Sequence, residues 1–354
     1  MPVTVVVGGQ FGSEGKGKVA CELARRDRAS VAVRIGGSNS GHTVVDDQGR
    51  TRIFRHLPTA AVLPDTICVI GPGSYLDVDV LLREISGTCL TPARLLIDPN
   101  AVIISEAHKE AERQREGARP ISSTCSGTGA AVADRVLRAP NVPFASSEPR
   151  LQPFVQPTQP FLRQRLTSGE RVIIEGTQGF GLSPLHSPFF PHVTSRDTTA
   201  AAFVSEAGLS PLDVDEVVLV IRAFPIRVAG AEAGPMPQEI DWDTVTRESG
   251  SSTPIVEKTS VTAQIRRVAR FDAEIVKRAI RTNAPSLICF NHLDYVDVRC
   301  RHHLLTSRAL PLLHDVERQI GRAVDFIGTG ADTLSLRRSL PVADSDRHAT
   351  PISA

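Results

Sequence analysis

Residues 8–18 read Gly8-Gly9-Gln10-Phe11-Gly12-Ser13-Glu14-Gly15-Lys16-Gly17-Lys18, a spacing of glycines and lysines suited to holding the phosphates of a nucleoside triphosphate. Glycine lets backbone N–H groups approach an anion closely, a following helix adds the positive end of its dipole, and lysine supplies full charge. Two positions depart from a Walker loop. Gly17 follows Lys16 where a magnesium-ligating hydroxyl belongs, and Gln10 stands at the first glycine position, so magnesium must find other ligands. A second segment, Gly36-Gly37-Ser38-Asn39-Ser40-Gly41-His42-Thr43, sets an amide and an imidazole among glycines. His42 is placed to give a hydrogen bond or a proton to an oxygen on which charge builds during phosphoryl transfer. Gln178, an amide between Gly176 and Gly179, is expected to point into a ligand crevice.

Each of these segments follows a short apolar run. Residues 3–7 are β-branched and hemmed by glycine, which predicts a strand buried on both faces of a parallel sheet, and residues 15–28 predict a helix. Residues 30–35, 66–70, 171–174, 216–223 and 286–290 predict further strands, each ending in a glycine-rich or polar turn. The fold class is therefore α/β with an open, mostly parallel sheet and a P-loop-like phosphate loop, and ligands are expected at the strands' carboxyl ends. Residues 116–129 (rich in Ser, Thr and Gly) and 139–160 (several prolines, little periodicity) are expected to be loops acting as a lid or a subunit contact. Residues 1–340 are expected to form a single domain, with a polar tail over 341–354.

Forty basic residues against 39 acidic ones leave a net charge of +1, and aromatic residues are only 5%, so nothing favours a nucleic-acid partner. No apolar run is long enough to cross a membrane, and no charged region precedes the opening apolar residues as in an export signal. Cys21, Cys68, Cys89, Cys125, Cys289 and Cys300 are scattered without metal or redox spacing. The expectation is a cytoplasmic enzyme, in a host cell's cytoplasm if viral, acting on small molecules.

Together the two glycine segments resemble the amino-terminal signature of the adenylosuccinate synthetase family, close to GxQWGDEGKGK followed by GGxNAGHT. The similarity continues in order. Glu175-Gly176-Thr177-Gln178-Gly179 is similar to EGAQG and residues 193–199 to VTSSNTT. Residues 227–239 correspond to RVGAGPFPTE with a small insertion, Asn291-His292-Leu293-Asp294 to TKLD, and Gly328-Thr329-Gly330 to STGP. The resemblance implies a magnesium-dependent ligase that phosphorylates the 6-oxygen of a purine nucleotide and then displaces the phosphate with the amino group of L-aspartate. It implies helices on both faces of the sheet and a homodimer. By motif, Ser38, Asn39, Thr124, Gln178 and Thr194 would hold the acceptor nucleotide with Ser13, and Arg138 would reach its phosphate from the neighbouring subunit. Gly12, Gly15, Lys16, Gly17, Lys18, Asn291, Asp294, Gly328 and Gly330 would hold the triphosphate, with Asp294 on its base. Thr262, Gln264 and Arg266 would bind L-aspartate, Gly41 and Ser13 would ligate Mg2+, and Ser13, Lys16 and His42 would act in catalysis.

Three positions depart from the family pattern. Ser13 replaces an aspartate that takes the N1 proton of the acceptor, and a serine hydroxyl is no unaided base near neutral pH. It does leave room beside N1 for the 2-amino group of guanine and offers an acceptor to it. Gln264 replaces an arginine near the ribose hydroxyl, which makes a deoxynucleotide acceptable. His292 replaces the lysine of the guanine-reading element. These changes are similar to those of the bacteriophage 2-aminoadenylosuccinate synthetases, and imply dGMP as acceptor with ATP or dATP as donor. Two alternatives stay open: an ordinary adenylosuccinate synthetase using IMP and GTP, and a nucleotide-binding module without chemistry.

Overall fold

Short β-branched runs with no polar interruption can be buried on both faces, and they build the centre of the protein. The computed structural model describes residues 2–259 and 263–342. Its main sheet contains β1 (Val3–Gly8), β2 (Val31–Arg34), β3 (Ile67–Ile70), β4 (Leu95–Ile97), β5 (Val172–Glu175), β6 (Val214–Arg222), β7 (Leu287–Asn291), β8 (Phe326–Ile327) and β9 (Ser335–Leu336). The strand order is β9-β8-β7-β6-β1-β5-β2-β3-β4, and every neighbouring pair is parallel except β8 with β9. All six strands expected from sequence lie in this sheet. Alternate residues of β1 feed two cores. Val3, Val5 and Val7 pack on one face with helices such as Ala273–Asn283 and Ala309–Ile320, while Val6 packs on the other with Val19, Leu23 and Leu81. Helices therefore cover both faces, which completes the expected α/β class.

The first helix, α1 (Lys16–Arg26), is shorter than the sequence suggests at both ends. Gly15 takes φ +90° and cannot be helical, and Arg28 takes φ +49° just after the capping Asp27. Half of residues 116–129 belongs to helices or their caps, since α2 (Glu106–Ala118) ends and α3 (Thr128–Leu137) begins inside it. Residues 139–160 are not a free loop. Two 3-10 turns, Ala145–Ser147 and Pro149–Phe154, bury Ala145 and Leu151, and the helix Thr158–Thr167 begins within the segment. Among the described residues, no helix is long and apolar enough to cross a membrane.

Candidate functional site

Because β1, β2, β5, β6 and β7 run the same way, their carboxyl ends form one crest. Four of these strands end in a buried polar residue: Arg34, Glu175, Arg222 and Asn291. Only Asn291 was expected in the site from sequence. The signal for the other three was a charged residue closing an apolar run, which a soluble strand seldom tolerates unless its charge is paired.

At the crest of β1 the phosphate loop folds around Glu14. One carboxylate oxygen accepts from the backbone N–H of Gln10 (3.0 Å) and Gly12 (2.7 Å), and the other pairs with Lys16 Nζ at 2.8 Å. Lys16 also donates to the Gly12 carbonyl at 2.9 Å, and burial lowers its pKa despite the Glu14 charge. Asn291 Nδ2 reaches over from β7 to the Glu14 carbonyl (2.8 Å), and a Cβ on Gly15 would meet that nitrogen at 2.8 Å. Glycine at position 15 is thus required both by φ and by close approach.

The imidazole of His42 is held from below. Its Nδ1 lies 2.5 Å from Glu175 Oε1, which also accepts from Arg34 Nη1 at 2.8 Å. The other Glu175 oxygen accepts from the N–H and the hydroxyl of Thr59, both at 2.7 Å. Burial, then the Arg34 charge, pushes His42 down to about 3. Burial alone would raise Glu175, yet the bond from His42 and the charge of Arg34 hold its carboxyl below the usual range. Nδ1 lies 2.5 Å from Arg34 Nη1 as well, so both members of the ion pair hold this side of the ring, and Nε2 is a buried nitrogen without a partner among the described residues.

Two groups of expected residues separate on either side of the loop. A cavity of about 350 Å3 is lined by Gly12, Ser13, Asn39, Gly41, Thr124, Gln178, Thr194 and Arg266, among others. Arg222 Nη1 donates to the Ser13 carbonyl (2.7 Å) while pairing with Glu257 at 2.5 Å, so the backbone at Ser13, a residue of the cavity wall, is anchored. On the other side Lys18 donates to the Gly330 carbonyl (2.9 Å), and a Cβ on Gly328 would strike Asn291 Oδ1 and Lys18 Nζ. Asp294 is buried there, with Oδ2 3.3 Å from Arg301 Nε and Oδ1 unpartnered, and burial raises its pKa. His292 takes φ +64° with its ring 5.1 Å from that of Tyr295. Gly17 places its carbonyl 2.7 Å from the Thr59 hydroxyl, which ties α1 to the Glu175 network.

Three expected site residues stand elsewhere. Ser38 spends its hydroxyl on the Ser126 carbonyl (3.4 Å) behind the cavity wall, because the Gly37 turn packs against Thr128. Arg138 is exposed at the end of α3, flanked by Val136 and Leu137 at 71% and 73% exposure, and does not line the cavity of its own chain. Gln264 is exposed outside the cavity, its backbone pairing with Thr259. Thr262 lies outside the described residues.

A glycine loop with two buried lysines at the crest of an open parallel sheet, and a cavity beside it lined by amide and hydroxyl side chains as well as apolar ones, define a protein built to handle nucleotides. Comparison gives the family. The chain matches the adenylosuccinate synthetase family over residues 5–142 and 143–301. It is 36% identical to the adenylosuccinate synthetase of Methanococcus aeolicus, covering 94% of this chain and 98% of that one, and 37% identical to that of Methanocaldococcus jannaschii, covering 95% and 97%. Among solved structures it is similar to the cyanophage S-2L succinoaminodeoxyadenylate synthetase (PurZ) bound to dGMP and dATP as an energy donor, with a TM-score of 0.79, 28% identity and 95% of each chain covered. It also shares the fold of fully ligated adenylosuccinate synthetase from Plasmodium falciparum, at a TM-score of 0.82 and 18% identity over 95% of this chain and all of that one. The chain belongs to the adenylosuccinate synthetase family, carbon–nitrogen ligases of purine nucleotide biosynthesis.

Proposed function

We propose that the chain joins L-aspartate to C6 of dGMP through a 6-phosphoryl intermediate, forming 2-amino-2′-deoxyadenylosuccinate while ATP or dATP gives its diphosphate and phosphate. The observation that carries this reading is Ser13 on the cavity wall, where the family pattern has aspartate. The hydroxyl leaves space for the 2-amino group and accepts from it. The likeness to a phage enzyme whose structure holds dGMP and dATP supports the same acceptor and donor.

In this reading Asn39, Thr124, Gln178 and Thr194 hold the acceptor in the cavity, and Lys16 and Lys18 hold the triphosphate across the loop. The 6-oxygen attacks the γ-phosphorus, the diphosphate leaves, and the aspartate amine, bound beside Arg266, then displaces phosphate from C6. His42, next to the cavity-lining Gly41, would present to this exchange its Nε2, which has no hydrogen-bond partner among the described residues. Neutral in the free protein, the imidazole gains a second proton as phosphate charge arrives, and then donates to the 6-oxygen. Among the described residues, no cluster of three or more His, Cys, Asp or Glu side chains forms a metal site. The Gly41 carbonyl and the Ser13 hydroxyl would be the protein oxygens that hold Mg2+ beside the substrate phosphates. Bound there, the ion would neutralise charge on the transferring phosphoryl group. Asp294 reads the donor base, and Arg138 serves the neighbouring subunit of a homodimer.

The named archaeal relatives favour a second reading, IMP with GTP. A phosphate-release assay with L-aspartate, Mg2+ and each donor separates the two. Turnover of dGMP well above that of IMP is expected, whereas turnover of IMP alone rejects dGMP specificity. Nucleotide binding with no aspartate-dependent release of phosphate from either acceptor would leave only a binding module.

A further inference from the structure

Replacing an aspartate by Ser13 takes a proton acceptor away from N1 of the base, and the same cavity wall carries a charge that no described residue balances. Arg227 ends the short strand Ile226–Arg227 and is 3% exposed. Its Nη1 donates to the Pro235 carbonyl at 3.0 Å and its Nη2 to the His192 carbonyl at 2.8 Å, while Nε is buried without a partner. The guanidinium lies 4.8 Å from the centre of the Phe11 ring and 5.4 Å from that of Phe189. Among the described residues no carboxylate pairs with it. The neighbouring charge acting on it is another cation, Arg267, itself paired with Glu239 at 2.6 Å. Burial and Arg267 bring Arg227 down only to about 10, so it stays charged at neutral pH.

Other buried cations at the crest differ. Lys16 pairs with Glu14, Arg34 with Glu175 and Arg222 with Glu257. Lys18 also has no ion pair among the described residues, but it stands on the far side of the loop from the cavity. Two carbonyls and the faces of Phe11 and Phe189 offset part of the cost of burying this cation, but none of them carries the full negative charge that a ligand anion would bring. Arg227, Phe11 and Ser13 line one cavity, so the ligand that meets this field is the one seated against Ser13.

We propose that Arg227 promotes ionisation of the acceptor purine at N1, supplying by its field what the missing carboxylate would supply by proton transfer. The N1–H bond breaks, its electron pair delocalises onto the 6-oxygen, and the proton leaves to solvent water. The resulting oxyanion is the nucleophile toward the γ-phosphorus. This inference rests on the reading that the base faces Ser13. Other charges bear on the base as well. Arg266 has the same sign as Arg227, the Lys16–Glu14 and Arg222–Glu257 pairs are internally compensated, and Glu112, Arg115, Glu116 and Arg119 alternate in sign on the opposite wall. His192 lends its Nδ1 to the Glu232 carbonyl. Arg227 is therefore the buried charge on the Phe11 side that can tip the base toward its anion.

The test is an ultraviolet difference titration of dGMP, and separately of IMP, bound to the wild-type chain, to Arg227→Lys and to Arg227→Met. The expected N1 ionisation of the bound nucleotide falls about one to two pH units below that of the free one for a charge several ångströms away. Arg227→Lys keeps most of that shift. Arg227→Met returns it toward the free value and moves the acid limb of kcat upward equally, with KM little changed. Equal ionisation in wild type and Arg227→Met, or a lysine variant that behaves like the methionine one, overturns the proposal. If IMP binds and dGMP does not, the specificity reading fails, while the IMP titration still judges Arg227.

Discussion

At the scale of single residues, the proposed reaction assigns base selection to the hydroxymethyl group of Ser13 and oxyanion stabilisation to the imidazole of His42. Ser13→Asp restores a carboxylate against N1, so kcat/KM for IMP should rise and that for dGMP fall, each by about tenfold or more given the usual 10²–10⁴ of a general base. Steady-state kinetics with both acceptors check this, and no change in their ratio would separate Ser13 from base selection. His42 and His56 are both held down to about 3, chiefly by burial, against an ordinary 6.5. The folded chain binds fewer protons there than the unfolded one, so stability is full above pH 6.5 and is lost as pH falls toward 3. Between pH 6.5 and 5, above the carboxylate range, each histidine contributes a slope of up to about 1.4 kcal/mol per pH unit. His56 accepts from the Asp77 N–H (3.1 Å), a bond that glutamine can imitate. Urea unfolding of His56→Gln across that window should show the slope reduced by about one proton.

At the scale of elements, strand ends do the positioning. Arg34 and Glu175 are register partners at the tips of β2 and β5, and each presents its side chain to the turn holding His42. Glu175→Gln leaves Arg34 buried without its counter-ion, and should destabilise the fold by about 3–5 kcal/mol as well as freeing the imidazole. Adding Arg34→Met should recover much of the stability, since no buried charge then stands alone, yet leave kcat low because His42 has lost its anchor. Thermal unfolding and turnover measured on the single and double variants separate these two effects. Recovery of both together would mean the pair serves only the fold.

At the scale of the whole molecule, the exposed Val136-Leu137-Arg138 end of α3 does not line the cavity of its own chain. If the working unit is a dimer with shared sites, neither Arg138→Leu nor Lys16→Ala alone should turn over. A mixed dimer of the two has one site with Lys16 from one chain and Arg138 from the other. Equal mixing after dissociation should then recover about a quarter of wild-type activity, since half the dimers are mixed and half of their sites are whole. No recovery would place Arg138 outside any shared site.

The sequence by itself determined the sheet and the phosphate loop. Unbroken β-branched runs such as residues 3–7 can satisfy themselves only when buried on both faces, and glycines followed by Lys16 and Lys18 have little use away from an anion. The carboxyl-end position of the loop and of His42 followed from those runs. What only the tertiary structure decided is who pairs with whom across the crest. Arg34 and Glu175 are far apart in sequence and meet because neighbouring parallel strands bring their ends into register, while Arg222 at the end of β6 is met by Glu257 from a segment outside the sheet. The same long-range packing sends Ser38 behind the wall and Arg138 out to solvent, and leaves Arg227 buried without a counter-ion. Local pattern reports a residue's burial preference, but the charge balance of a pocket is a sum over chain segments that meet only on folding.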